Sequence, residues 1–309
     1  MPCAKFDPNI DIPDLSGQVI IVTGGNVGLG LETIRQLAKH NPTRIYLAAR
    51  SQEKAQAAIE ELQKEASTEL PIVFLHLDLS SFASIKSAAA TINREESRLD
   101  LLINNAGIMM TQEALTADGY EIQFGTNVMG PALFTLLLLP LLRRTSIQHP
   151  QARVVNLASA SEARAPADIY NFIALKTTMS DKHTTVRYTT SKIADIHFTS
   201  AVARRISDVR FVSVHPGMVA TNLHLAADGI FLKAFLNVAG ILATPVAKGA
   251  HSQLWAAVSP DAKHGGYYGP VGVPAGTKAA LSVEKSEELW SWMREELRAH
   301  VDMPVELLS

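Results

Sequence analysis

The sequence predicts an α/β fold in which a doubly wound, mostly parallel sheet of about seven strands carries helices on both faces. Three observations predict it. Short apolar, β-branched runs recur along the chain, stretches of helical length separate them, and the runs are apolar almost without a break, so both faces of the sheet need cover. The strands read as Val19–Thr23, Arg44–Ala49, Ile72–Leu77, Leu99–Asn104, Arg153–Ala158 and Arg210–Val214, with a last one around Gly266, Tyr267 and Tyr268.

Helix ends support this spacing. Asn41-Pro42 closes the first helix, because a residue before proline is pushed out of helical geometry, and Ser80-Ser81 offers a cap for the helix after the third strand. The apolar run from Pro131 to Leu142 is 12 residues long, short of the roughly 20 that cross a bilayer, and reads as a buried helix. Leu289, Trp292, Met293 and Leu297 repeat at helical spacing and predict a closing helix from about Glu284 to His300. In the run Ile230–Leu242, Lys233 and Asn237 share one helical face; this predicts a lid over an oily pocket or, alternatively, a patch for a membrane surface.

Composition narrows the function. With 309 residues, 47% hydrophobic and 19% charged, the chain has enough apolar mass for one large core, and no Gly-, Ser- or Pro-rich linker divides it. We therefore expect a single domain over 1–309, with a cofactor half at about 17–160, a substrate and catalytic half at about 161–309, and the lid at about 222–244. Lys plus Arg total 28 against 30 for Asp plus Glu, a net charge of -2, so there is no broad cationic field for nucleic acid. The one cysteine, Cys3, can form neither an internal disulfide nor a two-cysteine metal motif, and the ten histidines show no zinc spacing, so no metal is expected. The stretch Met1–Asp7 lacks the apolar run of an export signal. Together these features predict a cytoplasmic monomer or homodimer whose partner is a small molecule.

The first strand runs directly into Thr23-Gly24-Gly25-Asn26-Val27-Gly28-Leu29-Gly30, which then opens a helix. In a dinucleotide site Gly24 would allow the tight turn, Gly28 the approach of backbone to a pyrophosphate, and Gly30 close helix–strand packing, with the anion at the helix N-terminus. The end of the second strand chooses the dinucleotide. It reads Ala48-Ala49-Arg50-Ser51, with no carboxylate before Glu53; Arg50 offers a planar fork for a 2'-phosphate and Ser51 a hydroxyl, so NADP(H) is expected. Asp78, closing the third strand, either accepts from an adenine amino group or caps the next helix.

Tyr188 and Lys192 stand four residues apart, on one face of the helix that their segment suggests. A phenol near pKa 10 is a poor acid or base at neutral pH, and a neighbouring ammonium favours its phenolate. Ser159 follows an apolar strand at the carboxyl edge of the sheet, where open α/β sheets bind ligands.

With the 23–30 loop, Asp78, the turn Asn104-Asn105-Ala106-Gly107, Asn127, Ser159, Tyr188 with Lys192, and Pro216-Gly217 with Thr221, the chain resembles the short-chain dehydrogenases/reductases over nearly its whole length. The resemblance implies a Rossmann-type fold and a role for each matching position. Tyr188 would be the general acid for reduction and base for oxidation, Ser159 would bond the substrate oxygen, Lys192 would hold the nicotinamide ribose, and Asn127 would keep a water in a relay through Lys192. Cofactor contacts would come from Thr23, Gly24, Asn26, Val27, Gly28, Leu29, Gly30, Asp78, Leu79, Asn104, Asn105, Ala106, Gly107, Pro216, Gly217, Val219 and Thr221, beside Arg50, Ser51, Tyr188 and Lys192. Since Val27 stands where some NADP-using members carry a basic residue, Arg50 would carry most of the phosphate preference.

The chain is most similar to retinol-dehydrogenase-like and carbonyl-reductase-like members, including fungal enzymes of secondary metabolism. The separation of 29 positions from Ser159 to Tyr188 predicts an extra segment at Asp168–Lys182 beside the active site, and the part after Thr221 is extended. Ser161 is the rival for the catalytic serine, with strand register favouring Ser159. His215 reads as a histidine bonded to backbone. Met109, Met110 and Met218 suggest an oily pocket. The expected activity is reduction of an apolar ketone or aldehyde by NADPH, or oxidation of the matching secondary alcohol. Two alternatives share the fold: a redox-neutral epimerase or cyclase, and a non-catalytic NADPH-binding sensor.

Overall fold

Seven strands form one sheet because each apolar run sends alternate side chains to opposite faces. In β1 (Val19–Thr23), Val19 and Ile21 enter one core while Ile20 and Val22 enter the other, and all five residues are buried. The computed structural model describes residues 5–149, 152–166, 168–219 and 244–308. Its other strands are β2 (Arg44–Ala49), β3 (Ile72–His76), β4 (Leu101–Asn104), β5 (Arg153–Leu157), β6 (Arg210–Val214) and β7 (Tyr267–Tyr268). Their order is β3-β2-β1-β4-β5-β6-β7, and every pairing between them is parallel. Chain direction reverses its march across the sheet between β1 and β4, the switch point at whose strand carboxyl ends open α/β sheets form their ligand crevice.

One face is covered by α1 (Gly28–Leu37), α2 (Gln52–Glu65) and α6 (His251–Val258), which bury Ile34, Leu62 and Trp255 against it. The other face is covered by α3 (Phe82–Glu95), α4 (Gly130–Gln148) and α5 (Thr184–Arg205), with α7 (Val283–Leu297) packed outside α5. The stretch Ile122–Gln148 is long and apolar enough to cross a membrane by length and composition, yet 89% of its most apolar window is buried inside the protein, which is why it reads as a core helix.

Some element bounds differ from the sequence reading. The fourth strand starts at Leu101, since the Leu99 N–H donates to Thr145 Oγ1 at 2.8 Å instead of to a neighbouring strand. The third strand ends at His76 and, as an edge strand, leaves Val73 41% exposed, so it is not covered on both faces. In α7 the buried stripe is Leu289, Trp290, Met293 and Leu297; Trp292, expected in that stripe, is partly buried and stacks on Phe172 with ring centroids 5.0 Å apart. The predicted caps hold, with Ser81 Oγ accepting from Ser84 N and Asn41 in left-handed geometry at φ 58°.

Glu287 ties α7 to α5 by accepting from Arg205 Nη2 at 2.6 Å and from Arg204 Nη2 at 2.6 Å. These arginines hold its carboxyl down to about 2. A depressed folded-state value means that the stabilisation is complete above the ordinary carboxylate range and lost as pH falls through about 2. Because Glu287 is 38% exposed, solvent screening limits the effect of Glu287→Gln to about 0.5–1 kcal/mol at neutral pH. Urea unfolding across a pH series should show that difference shrinking toward pH 2.

Candidate active site

The glycine loop after β1 is tied to the turn after β4. Thr23 Oγ1 accepts from Ala106 N at 3.0 Å, and Asn105 Nδ2 donates to Thr23 O at 2.8 Å. Gly24 lies at φ +64° and Gly28 at φ +55°, the left-handed region that side chains avoid. A Cβ on Gly30 would sit 2.3 Å from Gly24 O, so α1 can approach the loop this closely only without a side chain there. Val27, at the N-cap of α1, supplies no side-chain cap and is exposed, so the first-turn amides of α1 have no side-chain acceptor from that position. Asn26 and Leu29 flank this turn half-buried.

Arg50 is exposed at the tip of β2 and makes no ion pair among the described residues. Ser51 is the N-cap of α2, its Oγ accepting from Lys54 N at 3.3 Å, which leaves its hydroxyl proton to donate. Asp78 folds back on its own turn, Oδ1 accepting from Ser80 N at 2.9 Å and Ser80 Oγ at 2.6 Å, while Ser81 caps α3. Leu79 is buried beneath α4, where a Cβ on Gly130 would meet Leu79 O at 2.3 Å. On the far side of the crevice Pro216 and Gly217 follow β6. His215 Nδ1 accepts from Gly217 N at 3.2 Å, and burial pushes the ring's basicity down, so His215 is neutral and bonded to backbone. Val219 bridges to Thr244. Thr221 and most of the expected lid fall within 220–243, outside the described residues.

Across the crevice α5 is buried on almost every side and brings Tyr188, 6% exposed, one turn from Lys192. Lys192 Nζ donates to Leu157 O at 2.7 Å and to Asp195 Oδ2 at 2.8 Å. Burial alone would push this ammonium down, but the Asp195 carboxylate, with help from Tyr188, holds it above its ordinary value. Burial pushes the Asp195 carboxyl up to about 6 against the pull of Lys192.

Asn127 lies in a π-helical turn (Gly125–Met129) leading into α4, a distortion common at functional sites. Its Nδ2 donates to Ile108 O and Ser191 Oγ, both at 2.9 Å, and its Oδ1 accepts from Ile108 N at 2.8 Å. Gly107 completes the contact, because a Cβ on it would be 3.3 Å from Asn127 Oδ1 and 3.6 Å from Lys192 Nζ. Ser159 caps the short helix Ala160–Arg164, its Oγ accepting from Ser161 N at 3.1 Å, which leaves the hydroxyl proton to donate elsewhere. Ser161 Oγ is buried with no partner among the described residues. Thus Gly107, Asn127, Leu157, Tyr188 and Lys192 are brought into one cluster, with Ser159 at the end of the same strand.

Two features escaped the sequence reading. Asp195 stands three residues beyond Lys192, a helical neighbour that spacing alone could have found. The second is a buried ion pair, Glu121 Oε1 to Arg187 Nη1 at 3.0 Å, in which both side chains are nearly inaccessible. Arg187 Nη2 also donates to Thr111 O at 3.2 Å, and Gln123 Oε1 accepts from Met110 N at 2.7 Å. This latch holds the 108–111 loop against the start of α5, directly before Tyr188; Ile108, Met109 and Met110 are half-buried along it. The expected segment at 168–182 is present as a loop with the single turn Ala174–Lys176, fixed by Tyr170 Oη to His197 Nδ1 at 2.6 Å.

The positive-φ glycines and the uncapped start of α1 suit the diphosphate of a dinucleotide. The family model described as short chain dehydrogenase matches residues 18–228. A short-chain dehydrogenase/reductase of Armillaria gallica is 36% identical over 94% of each chain. Human retinol dehydrogenase 13 is 37% identical over 68% of this chain and 61% of its own. Among solved structures, an NADPH-bound carbonyl reductase from chicken fatty liver shares the fold with a TM-score of 0.63 and 24% identity, covering 86% of this chain and all of its own.

Proposed function

The chain belongs to the short-chain dehydrogenase/reductase family of oxidoreductases, and from that premise we propose that it uses NADP(H) to interconvert an apolar ketone or aldehyde and the corresponding alcohol. The observation that carries this reading is the pairing of Tyr188 with Lys192 one turn apart on a buried helix face, Lys192 being fixed to the end of β5 two residues before Ser159.

When bound, the cofactor supplies the hydride that adds to the carbonyl carbon. Tyr188 hands its hydroxyl proton to the carbonyl oxygen, and Ser159 donates a hydrogen bond to the same oxygen as negative charge develops there. Lys192 makes loss of the phenol proton less costly by placing a cation one helical turn away. Asn127 has committed both amide protons and keeps one lone pair of Oδ1 for a water beside Lys192, the route by which a proton returns from solvent. In the oxidative direction each transfer runs backward, with Tyr188 as base. Half-buried Ile108, Met109 and Met110 beside the turn favour an apolar substrate.

The preference for NADP(H) rests on Arg50, whose fork suits the 2'-phosphate and whose neighbourhood offers no carboxylate before Glu53. Arg50→Ala should raise the dissociation constant for NADPH about 10- to 100-fold, as loss of a charge-assisted pair implies, and change that for NADH less than about twofold. Fluorescence titration of both nucleotides checks this. The reaction itself is tested by following NADPH absorbance over a panel of apolar ketones and aldehydes with product identification. Product formation without NADPH consumption would replace oxidoreduction of these substrates by redox-neutral chemistry.

A further inference from the structure

Lys192 carries three ammonium protons, and two are committed, one to Leu157 O and one to Asp195 Oδ2. One is left for the crevice. Among the described residues no side chain other than Lys192 donates to the Asp195 carboxylate, which lies buried on the same face of α5. Tyr188, Lys192 and Asp195 occupy positions i, i+4 and i+7, so a phenol, an ammonium and a carboxylate stand in a row over two turns.

Such a row has an electrostatic consequence. A lone buried cation would act on the phenol at full strength, whereas a cation paired with an anion on its far side acts as a dipole, and its pull on Tyr188 is reduced. Titratable groups near this row among the described residues include Glu288 on α7, whose charge reaches Tyr170, and three others. Tyr267 comes from β7, Tyr170 from the 168–182 segment, and Glu162 from the short helix after β5. Burial pushes both phenols up, so they stay neutral, and Glu162 is engaged by Thr277 Oγ1 at 2.7 Å. Asp195 is the charge in direct contact with Lys192.

We propose that Asp195 is a positioning residue that acts through Lys192: it pins the ammonium between α5 and the end of β5, and it sets how strongly that charge acts on the Tyr188 hydroxyl. The proposal rests on Tyr188 being the acid/base group. With burial raising its pKa to about 6, the carboxyl supplies its counter-charge at neutral pH and loses it in acid.

The test is the titration of Tyr188 in the cofactor-free protein, read as phenolate ultraviolet absorbance after subtraction of the Tyr188→Phe protein. Tyr46, pushed up to about 12 by burial, and the still higher Tyr120, Tyr170 and Tyr267 stay largely out of the working range. Across roughly 10 Å at an effective dielectric of about 20, removal of the Asp195 charge should lower the Tyr188 midpoint by about one pH unit. Asp195→Asn should show that acid shift, and the pH profile of kcat/KM should move the same way; Asp195→Glu, which keeps the charge, should stay within about 0.3 pH unit of the native midpoint. An unchanged midpoint in a folded Asp195→Asn protein overturns the proposal. Should that variant not fold, Asp195→Ser is read in its place, and failure of both to fold would assign the carboxylate to stability and overturn the proposal as well. Full turnover by Tyr188→Phe would sink the acid/base reading itself, a result distinguishable from an unmoved midpoint.

Discussion

Tyr188→Phe should lower kcat for carbonyl reduction by about a thousand-fold, within the range that a positioned general acid contributes. The substitution removes one oxygen from a side chain that is 6% exposed and leaves the ring to fill its place, so unfolding free energy should change by no more than about 1 kcal/mol. Arg50, the glycine loop and the uncapped start of α1 are untouched, and NADPH binding should stay within about threefold of native. The decisive comparison is between turnover and binding in the same preparation. Native turnover with intact binding would remove Tyr188 from the chemistry, whereas joint loss of both would point to a collapsed site.

Breaking the latch before Tyr188 should have the largest effect on stability. Glu121 accepts from Arg187 and, through Oε2, from Phe124 N at 2.7 Å, and it is fully buried. Glu121→Ala would leave the guanidinium of Arg187 uncompensated in the interior, at a cost of about 3–5 kcal/mol. Urea unfolding should show this loss, and the double substitution Glu121→Leu with Arg187→Met should recover most of it, because an apolar pair of similar volume carries no desolvation penalty. In the single variant Arg187 loses the carboxylate that orients it toward Thr111 O, so the hold of the 108–111 loop on α5 should loosen and kcat should fall beyond what partial unfolding explains. A single variant as stable as the native protein would show that Arg187 does not depend on Glu121 for its compensation.

The strands were legible because a buried parallel sheet needs uninterrupted apolar runs, and β1 or β2 has no other reading. Strand ends were less so: Leu99 looks like strand residue in the sequence, and its bond to Thr145 is a contact across 46 positions. Trp290 and Trp292 are both apolar and two apart, so periodicity could not say which would be buried and which would stack on Phe172. The glycine loop was readable since backbone conformation leaves its mark on residue type, and Gly24, Gly28 and Gly30 each have the geometry that demands glycine. Ser51 was less readable. A serine just past a strand suits an anion, a helix cap or both, and here its oxygen caps α2 while its proton stays available. The Glu121–Arg187 latch spans 66 positions and had no local signature, whereas Asp195, a helical neighbour of Lys192, was in plain view and lacked only a reason to be noticed.

Gly30 has no room for even one methyl group against the Gly24 carbonyl, while Arg50 is exposed and makes no ion pair among the described residues. Rigid and exchangeable parts of the nucleotide grip are therefore separate. On the proposed reading, in which Arg50 meets the 2'-phosphate and the glycine turn the pyrophosphate, coenzyme choice should be alterable at that one surface side chain, and redesign should begin there and leave the turn alone.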